Sequence, residues 1–218
     1  MDSIRDRAVA AFPSVMLTVL SMIQALALEL LWSRAMESEF LWLGGWDALV
    51  GWAQIVVVLA TLLLVWLLYV SQVIRLVWVP SIYDSVFPFG IGIAEFSLIE
   101  CVGPGMLGPW FYSAALLFGA AIWGGQRIFR RARMHPSNQE FFRDVEPATL
   151  RDFLPALALC STFVLLGLLL QVTHEPRILV LGSVVLAFGV VAYQGERIRR
   201  FWEISMADEP KQDEDRGE

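Results

Sequence analysis

No charged residue falls between positions 48 and 74. As one helix rising about 1.5 Å per residue this run would be about 40 Å long, against the roughly 20 residues that suffice to cross a hydrocarbon core. It reads as a membrane helix that is tilted or extends past the bilayer. The rest of the chain agrees, with 57% hydrophobic and 17% charged residues and a mean hydropathy of +0.60, beyond the usual range of soluble globular chains. Four further apolar stretches, residues 12–32, 110–126, 153–172 and 178–194, are long enough to span. The first follows Arg5 and Arg7, but it is too long for a secretory signal and no small-residue cleavage site follows it.

The sixth stretch, residues 86–102, is interrupted by Pro88, Gly90 and Gly92 and contains Glu95 and Glu100. It either crosses as a short helix or re-enters on one side, and parity separates the two. Arg127, Arg130, Arg131 and Arg133 follow one apolar stretch, and Arg197, Arg199 and Arg200 follow the last, so both ends belong in the cytoplasm by the positive-inside rule. Six crossings then leave only Arg34 and Arg177 outside; five would misplace Arg5, Arg7, Arg75 and Arg177. Six crossings put Trp32, Trp42, Trp46, Trp52 and Trp110 in an outer interfacial belt and Trp78 and Trp202 in an inner one, with Trp66 and Trp123 deeper.

The expected architecture is therefore an all-α, polytopic membrane helical bundle of six helices, with five plus a re-entrant segment as the alternative. Residues 1–205 form one domain, with a cytoplasmic loop at 127–152 and short outer loops at 33–47, 103–109 and 173–177; residues 206–218 form an acidic disordered tail. That tail accounts for much of the net charge of -6, so the body is not a polyanion and nucleic acid is not an expected partner. Fifteen Arg against one Lys, Lys211, fit a GC-rich bacterial genome. The expected location is the inner (cytoplasmic) membrane, with both termini in the cytoplasm.

The inventory of reactive groups is short. Cys101 and Cys160 lie in apolar runs without the spacing of a metal site or redox pair, and His135 and His174 fall on opposite sides. There is no nucleophile elbow, phosphate loop or zinc-binding histidine pair. No catalytic constellation and no cofactor are expected.

Intramembrane polar groups remain, and each needs a reason, since an ionised side chain at bilayer depth costs about 2.5 kcal/mol or more. Glu95 belongs near the middle of its segment and Glu100 near the break at Gly103, Pro104 and Gly105. On an ideal helix they stand about 140° apart and do not line one face. Glu95 reads either as a protonated or paired carboxylate that fixes the fold, with Arg75 a poorly placed partner, or as a group that alternates between charged and neutral on an ion or proton route. Glu100 and Asp84 are its companions on that route, although Asp84 also suits a helix cap. Gln24, Gln54 and Gln171 are expected to cross-link helices, and Glu29 to reach water at the end of its helix.

The basic cluster Arg127, Arg130, Arg131 and Arg133 is a candidate contact for anionic lipid headgroups. Beyond it, Ser137 and Glu140 have capping-box spacing for a short amphipathic helix with Phe141, Phe142 and Val145 on the membrane surface, stopped by Pro147, and Thr149 and Asp152 offer a further cap. Small residues at four-residue spacing, Ala120 and Gly124, Ala121 and Gly125, Ser183 and Ala187, mark faces for close helix packing or self-association. Two function classes stay open: a small channel or transporter, and a non-catalytic subunit or scaffold docked in a larger membrane complex. The expected partners are the bilayer with its anionic lipids, and either a second copy of the chain or other membrane subunits.

Overall fold

A computed structural model describes residues 4–143 and 149–207. They form α1 (Ile4–Glu37), α2 (Glu39–Trp42), α3 (Gly45–Arg75), α4 (Ile82–Glu100), α5 (Leu107–Ala132), a 3-10 turn at Pro136–Asn138, α6 (Gln139–Phe142), α7 (Leu150–Thr173) and α8 (Arg177–Ala207). Among the described residues, six helices, α1, α3, α4, α5, α7 and α8, are long and apolar enough to cross a membrane. The architecture is an all-α helical bundle. Residues 82–100 form one continuous helix, so this segment is a sixth rod and the re-entrant alternative is not adopted.

Every long helix outruns the apolar stretch that announces it. α8 continues from 194 to Ala207, where Arg199 pairs with Glu196 at 2.8 Å and with Glu203 at 2.5 Å. Such pairs support helix once the chain is in water. α3 stops at Arg75, where Leu76 turns extended with φ of -117° and ψ of 139°, and Pro80 keeps the residue before it out of helical geometry. α4 restarts behind Ser81, whose N–H donates to the Asp84 carboxylate at 2.7 Å. It ends at a turn where Gly103 and Gly105 adopt φ of 145° and 71°, conformations that side chains resist.

Two ends of the bundle can be distinguished. The turn end gathers α2, the α4–α5 turn and the α7–α8 turn; the basic end gathers Arg75, residues 127–133 and residues 197–200. Within the bundle α4 lies between α1 and α5, α3 packs on α1 and carries α8, and α5 carries α7. α7 and α8 scarcely touch beyond the turn that joins them. In lipid, apolar burial drives little helix association, so cohesion rests on close packing and buried polar contacts. Gly92 admits Ile23, Gly124 admits the Phe87 ring, and Gly108 meets Gly167 backbone to backbone.

Several sequence expectations change. Pro88, Gly90 and Gly92 do not weaken α4, because a freed backbone group has no water to turn to and neighbouring helices hold the segment. Trp110 is only 2% exposed, edge-on to Phe111, and Trp78 is buried against Phe12; both are core residues rather than interfacial ones. Position along the axis sets depth but says nothing of which face a ring takes. Trp66, expected to pack internally, is exposed and leans its N–H on Ser21 at 3.4 Å.

The connection after α5 also differs. His135, and not Ser137, supplies the side-chain acceptor at its start, from Ser137 N–H at 3.3 Å. The helix that follows has four residues, and its Phe142 is buried against Phe129 instead of lying on a surface. Buried Asn138 fastens this connection to the extended segment after α3, accepting from Val77 N–H at 3.0 Å and donating to the Val77 and Ala132 carbonyls. Val145, Pro147 and the acidic tail from 208 onward lie outside the described residues, as does the side chain of Asp152.

Candidate functional site

Glu95 is 0% exposed on α4, a helix packed against α1, α5 and, less closely, α3. Gln24 of α1 donates to its Oε1 at 2.7 Å. Oε2 has no hydrogen-bond partner, and among the described residues no cation pairs with the carboxylate. Arg75, the one partner the sequence offered, lies over the Phe141 ring at 4.9 Å instead. Glu100, at the last turn of α4, is exposed at the turn end. Glu95 and Glu100 therefore occupy different faces and different environments.

Buried polar groups form a discontinuous column along the bundle, from Gln54 at the α4–α5 turn to Asp84 at the start of α4, with Glu95 between them in level. α3 supplies one wall, with Gln54, Thr61, Tyr69 and Gln72 all buried. Their spacings of seven, eight and three residues keep them on one side of a helix. Toward the turn end, Gln54 is 1% exposed; its Oε1 accepts from Gly103 N–H at 3.1 Å and its Nε2 is unpartnered. Arg34 closes the same level, donating to the Val102 carbonyl at 3.0 Å. Toward the basic end, Tyr69 is buried and its hydroxyl is unpartnered.

The basic end of the column is a charged cluster. Asp84, 6% exposed, pairs with Arg131 at 2.5 Å, accepts from the Ser81 hydroxyl at 3.0 Å, and Arg131 also donates to that hydroxyl. Asp84 is thus both helix cap and ion-pair partner. Arg127 sits between the Tyr83 and Trp123 rings at 4.7 and 4.9 Å, its Nε unpartnered. Phe87 stands between this cluster and Tyr69, with ring centroids 6.0 Å from Tyr69 and 5.9 Å from Trp123. Of the four arginines named as headgroup contacts, Arg130 is exposed, Arg131 is committed to Asp84, Arg127 to its rings, and Arg133 lies over Phe142 at 4.6 Å.

Gln24, Gln54 and Gln171 each bridge elements, the last by accepting from the Tyr112 hydroxyl at 3.1 Å. Tyr69, Arg34 and Asn138 escaped the sequence reading. For Tyr69 the signal was present in its place on the α3 polar stripe; for Arg34 and Asn138 the partners are carbonyls distant in sequence, which leave no local trace.

At the turn end a cavity of about 550 Å³ opens above Gly103. His174 and Glu175 form one wall with φ of 55° and 57°, a left-handed pair of non-glycine residues that costs about 1–2 kcal/mol each unless held. The Glu175 carboxylate holds it, accepting from Gly105 and Leu107 N–H at 3.1 and 2.9 Å. Comparison of the chain with protein-family models, with curated proteins and with solved structures gives no match, so its function is argued from this geometry alone.

Proposed function

We propose that this chain is a small multi-pass membrane transporter in which the Glu95 carboxylate takes up and releases a proton or a cation in the course of transport. The observation that carries the reading is a fully buried carboxylate with one oxygen on Gln24, the other unpartnered, and no ion pair. A purely structural carboxylate tends to be paired or fully hydrogen-bonded, because an unmet buried acceptor costs about 1–3 kcal/mol. Carboxylates inside membrane bundles commonly mark ion and proton routes. Glu95 is sealed from both ends, which favours a carrier over an open channel. Gln54, Tyr69 and Arg127 each leave a polar atom unpartnered at other levels of the bundle, groups that a route toward either end would use.

In this reading the basic end faces the cytoplasm of a bacterial inner membrane, in line with the positive-inside rule. No catalytic role is assigned. The test is proton and cation flux in liposomes with the purified protein. Glu95→Gln keeps an acceptor for Gln24 but cannot ionise, so flux falls to the level of empty liposomes while helicity and Tm persist. Sidedness is read by labelling single cysteines placed at 33–47 after Cys101 and Cys160 are changed to Ser. Flux undiminished in Glu95→Gln would end the proposal. The competing reading, a subunit docked in a larger complex, draws on the long apolar faces of α7 and α8, including Leu154, Leu165, Leu168, Leu181 and Val185; it predicts no flux and a stable partner on purification.

A further inference from the structure

The cavity at the turn end combines both signs of charge with an apolar wall. Asp47 and Arg177 line it together with Trp46, Val50, Leu170 and His174. The two charges do not neutralise each other. Asp47 makes no hydrogen bond or ion pair among the described residues, and Arg177 lies over the Trp46 ring at 5.7 Å. Arg177 also opens α8, whose N-terminal dipole favours a negative group at the same place. Glu175, by contrast, spends both oxygens on the α4–α5 turn and is not free for a ligand. At about 550 Å³ the cavity falls within the range of small-molecule sites, which set a few convergent polar groups in a largely apolar lining.

We propose that this cavity binds a small zwitterion of amino-acid or short-peptide type, with its carboxylate at Arg177, its ammonium group at Asp47 and its apolar side chain against Trp46 and Val50. A ligand with only one charge would satisfy one of the two protein groups and leave the other as it was, so the site selects for the pair. Its floor is Gly103, whose N–H is tied to Gln54 at one end of the buried polar column. As a cargo site the cavity rests on the transport reading above; as a binding site it stands without it.

The experiment is calorimetric titration of the full-length protein in detergent with leucine and with leucyl-leucine, each compared with its N-acetylated and C-amidated form. At least one of the two zwitterions is expected to bind, and removal of either charge to weaken it at least tenfold. Asp47→Asn and Arg177→Gln are each expected to weaken it at least tenfold, with circular dichroism unchanged. Equal binding of the blocked forms, no binding of either zwitterion, or indifference to both substitutions in folded protein overturns the site. Binding without any flux in liposomes keeps the site and removes the transport reading, whereas proton flux without binding removes the site alone.

Discussion

Gln24 on α1 donates its amide to Oε1 of Glu95 on α4 across 2.7 Å, and among the described residues this is the only hydrogen bond the buried carboxylate receives. Gln24→Leu would leave Glu95 with neither oxygen bonded. The expected loss is about 1–3 kcal/mol, read as a lower Tm in detergent. Glu95→Leu in the same background should recover most of it, because no buried polar group is then left without its partner.

The Asp84–Arg131 pair closes the basic end and caps α4. Asp84→Asn removes a largely buried ion pair and weakens the cap, with an expected cost of about 2–4 kcal/mol. Arg131→Gln added to it should restore part of the loss, since no lone buried charge then remains. A double-mutant cycle of melting temperatures measures the coupling, and strict additivity would show that the pair contributes nothing.

Two glycines make contrasting predictions. A β-carbon at Gly124 would fall 2.1 Å from the Phe87 ring, and one at Gly167 would fall 2.8 Å from the Gly108 carbonyl oxygen. Both alanine variants should lose about 1–3 kcal/mol by overpacking. Phe87→Leu should rescue Gly124→Ala, because a side chain can yield. No side-chain change should rescue Gly167→Ala, since the Tyr112 ring at 2.6 Å can yield but the Gly108 carbonyl at 2.8 Å is backbone. Thermal melts of the single and double variants check both.

Glu175→Ala releases the Gly105 and Leu107 amides from their acceptor and removes what holds two left-handed residues in place. Hydrogen exchange at those two amides should accelerate at least tenfold while exchange in mid-α3 is unchanged. If the turn keeps its protection, another contact fixes it.

The polar inventory was readable in the sequence. The three glutamines act as bridges because an amide in an apolar helix has no bilayer partner and must find one in another element. The double reading of Asp84 resolves into both cap and ion pair. The reading of α4 as a broken segment fails for a physical reason: Pro88, Gly90 and Gly92 are weak helix formers in water, yet among packed helices Gly92 becomes the notch that admits Ile23. The short helix on the membrane surface fails too, because Phe142 finds Phe129 and the interior instead.

The amino-acid sequence by itself determined that six apolar rods form and which charged clusters stand at their ends, because length and hydropathy act locally along the chain. It also marked Glu95 as a carboxylate in an apolar segment. Only the tertiary structure decided that Glu95 meets Gln24 and not Arg75, that Asp84 meets Arg131, and that Asp47 and Arg177 share a cavity. Each of those depends on which faces of distant helices come together, and in lipid that choice is made by packing and hydrogen bonds between helices rather than by any local pattern.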